Sequence, residues 1–267
     1  MTDGIYIHGH HESVLRSHTW RTIENSAKYL EKYLTKISNL LDVGCGPGTI
    51  TIDFATRLSE GTVLGIDISD EIIRKARIAS QELGLDNCSF DIGDTYHLDF
   101  EDNTFDIVHA HQLLQHLTDP VAAIKEMRRV VRPGGIVALR DADYGGMIWA
   151  PTDPKLDEWM DLYQRMTRKN KVVANAGRSL FSWATEVSFS SVDVSSSTWT
   201  FSTPDTREWW GGLWAERIQK STFANQVLEH GLGTQELLDN LSAAFIRWAN
   251  QPDGFFLVPH GEIIAVK

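Results

Sequence analysis

Cysteine is almost absent from this chain of 267 residues: there are two, Cys45 and Cys88. Two thiols make no disulfide framework and point to a reducing compartment. Basic residues are also in short supply, with 25 Lys and Arg against 36 Asp and Glu and a net charge of −11. That balance argues against nucleic acid as the main partner, because phosphate recognition requires a basic face. No apolar run approaches the length of a membrane span, and the polar, His-rich start carries no signal-peptide pattern. These absences predict a cytoplasmic protein with no membrane span and no nucleic-acid partner. No metal site is expected either: His10, His11 and His18 have no CxxC beside them, and their spacing alone is a weak signal. What remains is ordinary globular material, 42% apolar and 23% charged. Its length suits one large domain or a domain with a cap.

The most informative segment is LLDVGCGPGT, residues 40–49. It reads as a short buried strand (Leu40, Leu41, Val43), a glycine turn (Gly44, Gly46, Gly48) and the start of a helix. Such a turn lets a ligand approach the backbone closely, and the helix start offers unpaired N–H groups. Two familiar nucleotide loops are excluded. No Gly-Lys-Ser/Thr follows, so this is no P-loop. The third glycine of a dinucleotide fingerprint would fall at Thr49 and instead comes one residue early. Asp42 is a poor neighbour for a pyrophosphate and a good acceptor for an ammonium group. Cys45 is read as a small residue that fits the turn rather than as a nucleophile.

Strand and helix signals then alternate, which predicts a parallel α/β sheet. Strands are expected near 39–43, 62–66, 88–91, 105–109 and 135–141, and helices near 49–58, 70–83 and 120–131. Ser69 is the expected N-cap of the second helix, and Pro133-Gly134-Gly135 the stop of the third. Upstream, Trp20, Ile23, Ala27, Leu30 and Leu34 recur at helical spacing, predicting a helix over 19–36.

The glycine turn with its preceding acid resembles motif I of class I S-adenosylmethionine-dependent methyltransferases. The resemblance continues in order through VLGIDIS (63–69), FDIGDTYHLDF (90–100), FDIVHAHQLLQHL (105–117) and EMRRVVRPGGIVALRDADY (126–144). It covers about residues 38–145 and is similar to the ubiquinone and menaquinone biosynthesis (type 11) group through that half only. It implies a Rossmann-like seven-stranded sheet with helices on both faces. It also implies S-adenosylmethionine as cofactor and S-adenosylhomocysteine as product. Asp42, Gly44, Cys45, Gly46 and Gly48 would then surround the amino acid and ribose portions of the cofactor. Asp67 would take the ribose hydroxyls, with Ile68 against the adenine. Gly93, Asp94 and Thr95 would meet the adenine amine, and His111 and Gln112 would line the methionine side.

The division expected is an N-terminal lid and helix (1–37), the cofactor-binding core (38–150) and a C-terminal part (151–267). In that last part a strand at 189–201, a helical cap at about 204–250 and a closing strand at 255–266, interrupted at Pro259-His260-Gly261, are predicted. Methyl transfer from a sulfonium mainly needs alignment and desolvation of the acceptor. A base is required only when the acceptor must lose a proton. His116, on the turn after the fourth strand, is the candidate base. His11 and Trp20 in the lid, and Asp141 and Tyr144 after the fifth strand, are candidate acceptor contacts. Asp141 and Asp143 equally suit hydrogen bonding within their loop. Trp210 and Trp214 either line an apolar acceptor pocket or pack the cap onto the sheet. A small, apolar or aromatic acceptor is the expectation. A protein or RNA methyltransferase, or a non-catalytic binder of the same cofactor, stays open as an alternative.

Overall fold

Short apolar runs bounded by turn residues become the strands of one sheet, as expected, while polar–Pro pairs start several of the helices. In the computed structural model residues 17–267 are described; His11 and the remainder of residues 1–16 lie outside them. The strands are β1 (Asn39–Val43), β2 (Thr62–Asp67), β3 (Cys88–Ile92), β4 (Phe105–His111), β5 (Val131–Ala142), β6 (Ile148–Ala150), β7 (Ser191–Phe201) and β8 (Phe255–Val266). The helices are α1 (Thr49–Arg57), α2 (Asp70–Glu82), α3 (Pro120–Val130), α4 (Pro154–Lys169), α5 (Ala176–Thr185), α6 (Pro204–Lys220), α7 (Thr222–Glu229) and α8 (Gln235–Ala249). Asp119, Asp153 and Thr203 each precede a proline at the first turn of a helix and accept a backbone N–H there. A polar cap followed by a proline with its φ already set explains why α3, α4 and α6 start where they do. Ser69 caps α2 by accepting the Ile72 N–H.

The sheet runs β3-β2-β1-β4-β5-β8, parallel up to β5, after which β8 pairs antiparallel. β7 pairs the other edge of β8 along its whole length, and β6 extends the β5 edge. The sheet therefore has eight strands rather than the seven expected; β6 is three residues long, too short to show a periodicity. The reversal between β4 and β1 leaves a crevice at the carboxyl ends of the strands, where ligands bind in open α/β sheets.

Three further expectations are corrected. Residues 19–36 do not form one helix: a π turn at Ile23–Ala27 gives way to a 3₁₀ segment at Lys28–Tyr33. The Ile23 N–H donates to Asp53 Oδ2 on α1, tying this segment to its neighbour at the expense of a regular helix. Pro133-Gly134-Gly135 lies within β5, where the register slips between Phe105 and Ile107 of β4, and α3 has already ended at Val130. β8 is continuous through Pro259. The Asp143 N–H donates to the Pro259 carbonyl in the gap where the partner of β8 changes from β6 to β5. The N–H that proline lacks would point into that same gap, so no ladder bond is lost.

Apolar side chains cover both faces. On one, α3 and α5 pack on Val108, Ala110, Val137, Leu139 and Ile263. On the other, Phe54 of α1 and Ile23, Ala27 and Leu30 pack on Leu40, Ile107 and Ala138. A separate aromatic cluster joins α4, α6, α7 and α8 around Trp159, Trp214, Phe245 and Phe256. Among the described residues, no helix is long and apolar enough to cross a membrane.

Candidate functional site

The glycine turn after β1 is held by the neighbouring strand. Gly44 and Cys45 both donate N–H groups to the Ile66 carbonyl, at 2.8 and 2.9 Å. Asp67, at the end of β2, accepts the Gly46 N–H at 3.1 Å and the Ser69 N–H at 3.0 Å. Gly48 sits at φ +82°, and a Cβ there would lie 2.6 Å from Phe90 Cζ. Left-handed backbone and close packing both demand glycine at that position. Gly46, at φ +56°, faces the open side; the nearest atom to a Cβ there is His18 Nδ1 at 3.7 Å.

Beside this turn lies a cavity of about 470 Å³. The expected cofactor residues Asp42, Gly44, Cys45, Gly46, Asp67, Ile68, Gly93, Asp94, Thr95, His111 and Gln112 line it, while Gly48 stands behind the turn. Asp42 is fully engaged: its oxygens accept the Thr51 hydroxyl at 2.6 Å and meet His109 Nδ1 at 2.7 Å, all buried. Asp94 accepts the Tyr96 N–H at 2.9 Å, which fixes the loop after β3. Ile68 is 77% exposed at the cavity rim. Burial, with nearby Asp42 and Asp67, pushes the Cys45 thiol well above its usual range. A thiol so protonated is no nucleophile.

Among the buried polar atoms of the lining, Thr95 Oγ1, His111 Nε2 and Gln115 Oε1 have no hydrogen-bond partner among the described residues. Buried polar atoms are rarely left so, and these three mark where a ligand's polar groups fit. Gln112 is held at φ +52°, a left-handed conformation uncommon outside glycine. Its Oε1 accepts Arg21 Nη2 at 2.7 Å.

The candidate acceptor residues divide. Tyr144 and His116 line the cavity. Burial first, then the charges of Arg21 and Arg217, push the His116 ring down to about 3. A ring of such low basicity is neutral near pH 7 and a poor general base. Asp141 does not line the cavity. It is fully buried, and its carboxylate accepts the Gln115 N–H at 3.1 Å, anchoring the turn that carries His116. Burial raises its pKa to about 7. Asp143 turns away to pair with Arg178 at 2.5 Å. Trp20 packs edge-on against Trp199, 5.1 Å between ring centres, outside the lining. Trp210 and Trp214 are also outside it: they are 4% and 0% exposed within the aromatic cluster, the packing alternative of the two. His11 falls outside the described residues.

Sequence reasoning missed Arg217, Ser17, Gln115 and Leu113, all of which line the cavity. Arg217 had a signal. Trp210, Leu213, Trp214 and Arg217 share the inward stripe of α6, and a cation ending an apolar stripe marks a site. A second buried cation, Arg140, lies deeper. It meets Glu262 Oε1 and Ser197 Oγ at 3.1 Å each and is not part of the lining. Among the described residues, no group of three or more His, Cys, Asp or Glu is placed to hold a metal ion.

Comparison with known proteins gives the family and the fold. A family model described as a methyltransferase domain matches residues 34–210. An uncharacterized methyltransferase of Schizosaccharomyces pombe is 38% identical over 98% of this chain and 96% of its own length. A probable methyltransferase of Aspergillus luteorubrus is 31% identical over 98% of this chain and 97% of its own. Among solved structures, the YcgJ protein of Bacillus subtilis shares the fold, with a TM-score of 0.59 at 20% identity over 97% of this chain and 99% of that one.

Proposed function

The chain belongs to the methyltransferase domain family, and on that premise we propose that it moves the methyl group of S-adenosylmethionine to a small acceptor with an apolar or aromatic body. The observation that carries this reading is the cavity wall. It combines a glycine turn open to close approach with Asp67, Asp94 and three buried, unsatisfied polar atoms. The donor supplies a methyl group already activated on a sulfonium. The residues of this chain bind, orient and exclude water.

Asp67, fixed by two backbone N–H groups, is the acceptor for a ribose diol. Asp94 and the Thr95 hydroxyl suit an adenine amine, with Ile68 as the apolar cover. Asp42, buried where Asp67 is only half-buried, acts by fixing His109 and the start of α1. His111 Nε2 and Gln112 face the amino acid side. Leu113, Leu117 and Tyr144 give the remaining wall its apolar and aromatic character, which supports an acceptor of that kind. Alignment in a dry cavity is the main contribution. His111 and His116 in the lining are both pushed down by burial and make poor general bases. That favours an acceptor nucleophilic without losing a proton first, or ionised before it binds.

Calorimetric titration with S-adenosylmethionine and S-adenosylhomocysteine tests the donor half. Micromolar binding of both is expected. Failure of folded protein to bind either one overturns the reading.

A further inference from the structure

Two guanidinium groups reach the cavity from outside the strands and the loops that follow them. Arg21 comes from the N-terminal segment and Arg217 from α6, and both line the cavity together with His116 and Tyr144. Each is positioned. Arg21 Nη2 donates to the Oε1 of Gln112, whose backbone is held left-handed. Arg217 Nη2 donates to Ser17 Oγ at 2.9 Å, and its guanidinium lies 4.7 Å from the centre of the Trp214 ring. Arg217 is 5% exposed. The two charges act on the same neighbours: both depress the His116 ring, and both draw down the Tyr144 hydroxyl that burial raises. Ser17, which Arg217 reaches, stands four residues before Arg21, and all three line the cavity, so the two guanidiniums share one end of it. The acids of the described lining, Asp42, Asp67 and Asp94, come from β1, β2 and the loop after β3.

We propose that this end of the cavity binds an anionic group, a carboxylate or phosphate, carried by the methyl acceptor, with Arg217 as its principal cation. The inference rests on the methyltransferase reading above and adds a charge to the acceptor it describes. A planar guanidinium matches the two oxygens of a carboxylate or phosphate in a way that no hydroxyl or ring does. The low dielectric around a guanidinium as buried as that of Arg217 strengthens the attraction. The chain as a whole, at net charge −11, repels anions, so local cations are what would draw one in. Leu113, Leu117 and Tyr144 supply the apolar wall for the remainder of such an acceptor. The donor also carries a carboxylate, which makes it a second source of the same chemistry. Arg21, tied to Gln112 beside the glycine turn, is the nearer cation for that group.

The test begins with S-adenosylhomocysteine, which has the donor's carboxylate and no acceptor. With this ligand saturating, calorimetry compares probe pairs equal in shape and different in charge: benzoate with benzamide, 4-hydroxybenzoate with 4-hydroxybenzamide, and phenyl phosphate with phenol. At least one anion is expected to bind about tenfold or more tighter than its neutral partner. That preference should fall to about twofold or less in Arg217→Gln and return in part in Arg217→Lys, with affinity for S-adenosylhomocysteine kept within about threefold. Three results overturn the proposal: no anion preferred in the wild type; preference surviving in Arg217→Gln; or S-adenosylhomocysteine binding lost in that variant, which assigns the cation to the donor. If S-adenosylhomocysteine does not bind wild-type protein at all, the donor reading fails and this inference falls with it.

Discussion

Asp141→Asn should make the protein less sensitive to pH. Asp141 is fully buried on β5, and burial raises its pKa from 3.8 to about 7, against the opposing pull of the Gln115 and Leu114 N–H groups. The folded state therefore favours the protonated acid. Below the ordinary carboxyl range the group is protonated whether the chain is folded or not, and it contributes its full share of stability. As pH rises past 4 the unfolded chain releases the proton and the folded one holds it, so stability falls until about pH 7 and then levels. A shift of about three units corresponds to roughly 4 kcal/mol in all, of which about 2.5 kcal/mol falls between pH 5 and pH 8. Asparagine keeps an oxygen for the Gln115 N–H and has nothing to titrate. Its own packing cost is the same at every pH and cancels in the difference. For a chain of this size the wild type should lose about 5–10 °C more than the variant in melting temperature between pH 5 and pH 8. Thermal unfolding of both proteins at the two pH values gives the answer. Parallel pH dependence would refute the argument and mean that Asp141 ionises with an ordinary pKa.

Asp67→Ala should weaken binding of S-adenosylmethionine by about 1.5–3 kcal/mol, roughly 10- to 10²-fold, if the carboxylate accepts two ribose hydroxyls; unchanged affinity in a folded variant, measured by calorimetry, removes it from that role. Gly48→Ala adds left-handed strain of about 1–2 kcal/mol and places a Cβ 2.6 Å from Phe90 Cζ. Chemical denaturation should therefore show a loss of about 2–4 kcal/mol, and a neutral result would mean the turn rearranges freely. His116→Gln should leave the shape of the pH–rate profile unchanged between pH 5 and 8, because a ring held near 3 does not titrate there. Loss of an inflection in that range would restore His116 as the base.

The first four strands were legible to within two residues because each is a short apolar run bounded by Gly, Asn or Asp, a local pattern. Most of the predicted cofactor residues line one cavity for the same reason: turns of this kind restrict residue type at a few adjacent positions. Residues 19–36 were misread because the apolar spacing of Ile23, Ala27 and Leu30 reports which side chains are buried, not how the backbone turns between them. The Asp53 carboxylate that takes the Ile23 N–H comes from another element and leaves no trace in the local pattern. Trp210 and Trp214 were ambiguous because the same stripe of α6 serves packing and cavity alike. Only the structure shows that the tryptophans fill the aromatic cluster and that Arg217 is the stripe's member at the cavity.

The two sides of the cavity are built by different means, and this governs how each responds to mutation. The glycine turn, Asp67 and Asp94 are held by backbone hydrogen bonds to β2 and to their own loops. Replacing one side chain there removes one contact and leaves the frame. Ser17 with Arg21, Tyr144, and Arg217 come from three segments far apart in the chain. They meet only because α6 rests on Trp159, Phe245 and Phe256 through Trp214 and Trp210. Tyr144 joins the same stack through Tyr163, with ring centres 4.2 Å apart. Close-packed interiors relax only partly when a large side chain is removed. A void at Trp214 would therefore shift Arg217 and Tyr144 while leaving Asp67 in place. On the proposed assignment of the two sides, the aromatic layer sets the shape of the acceptor side, and a change there is expected to alter acceptor preference without loss of donor binding.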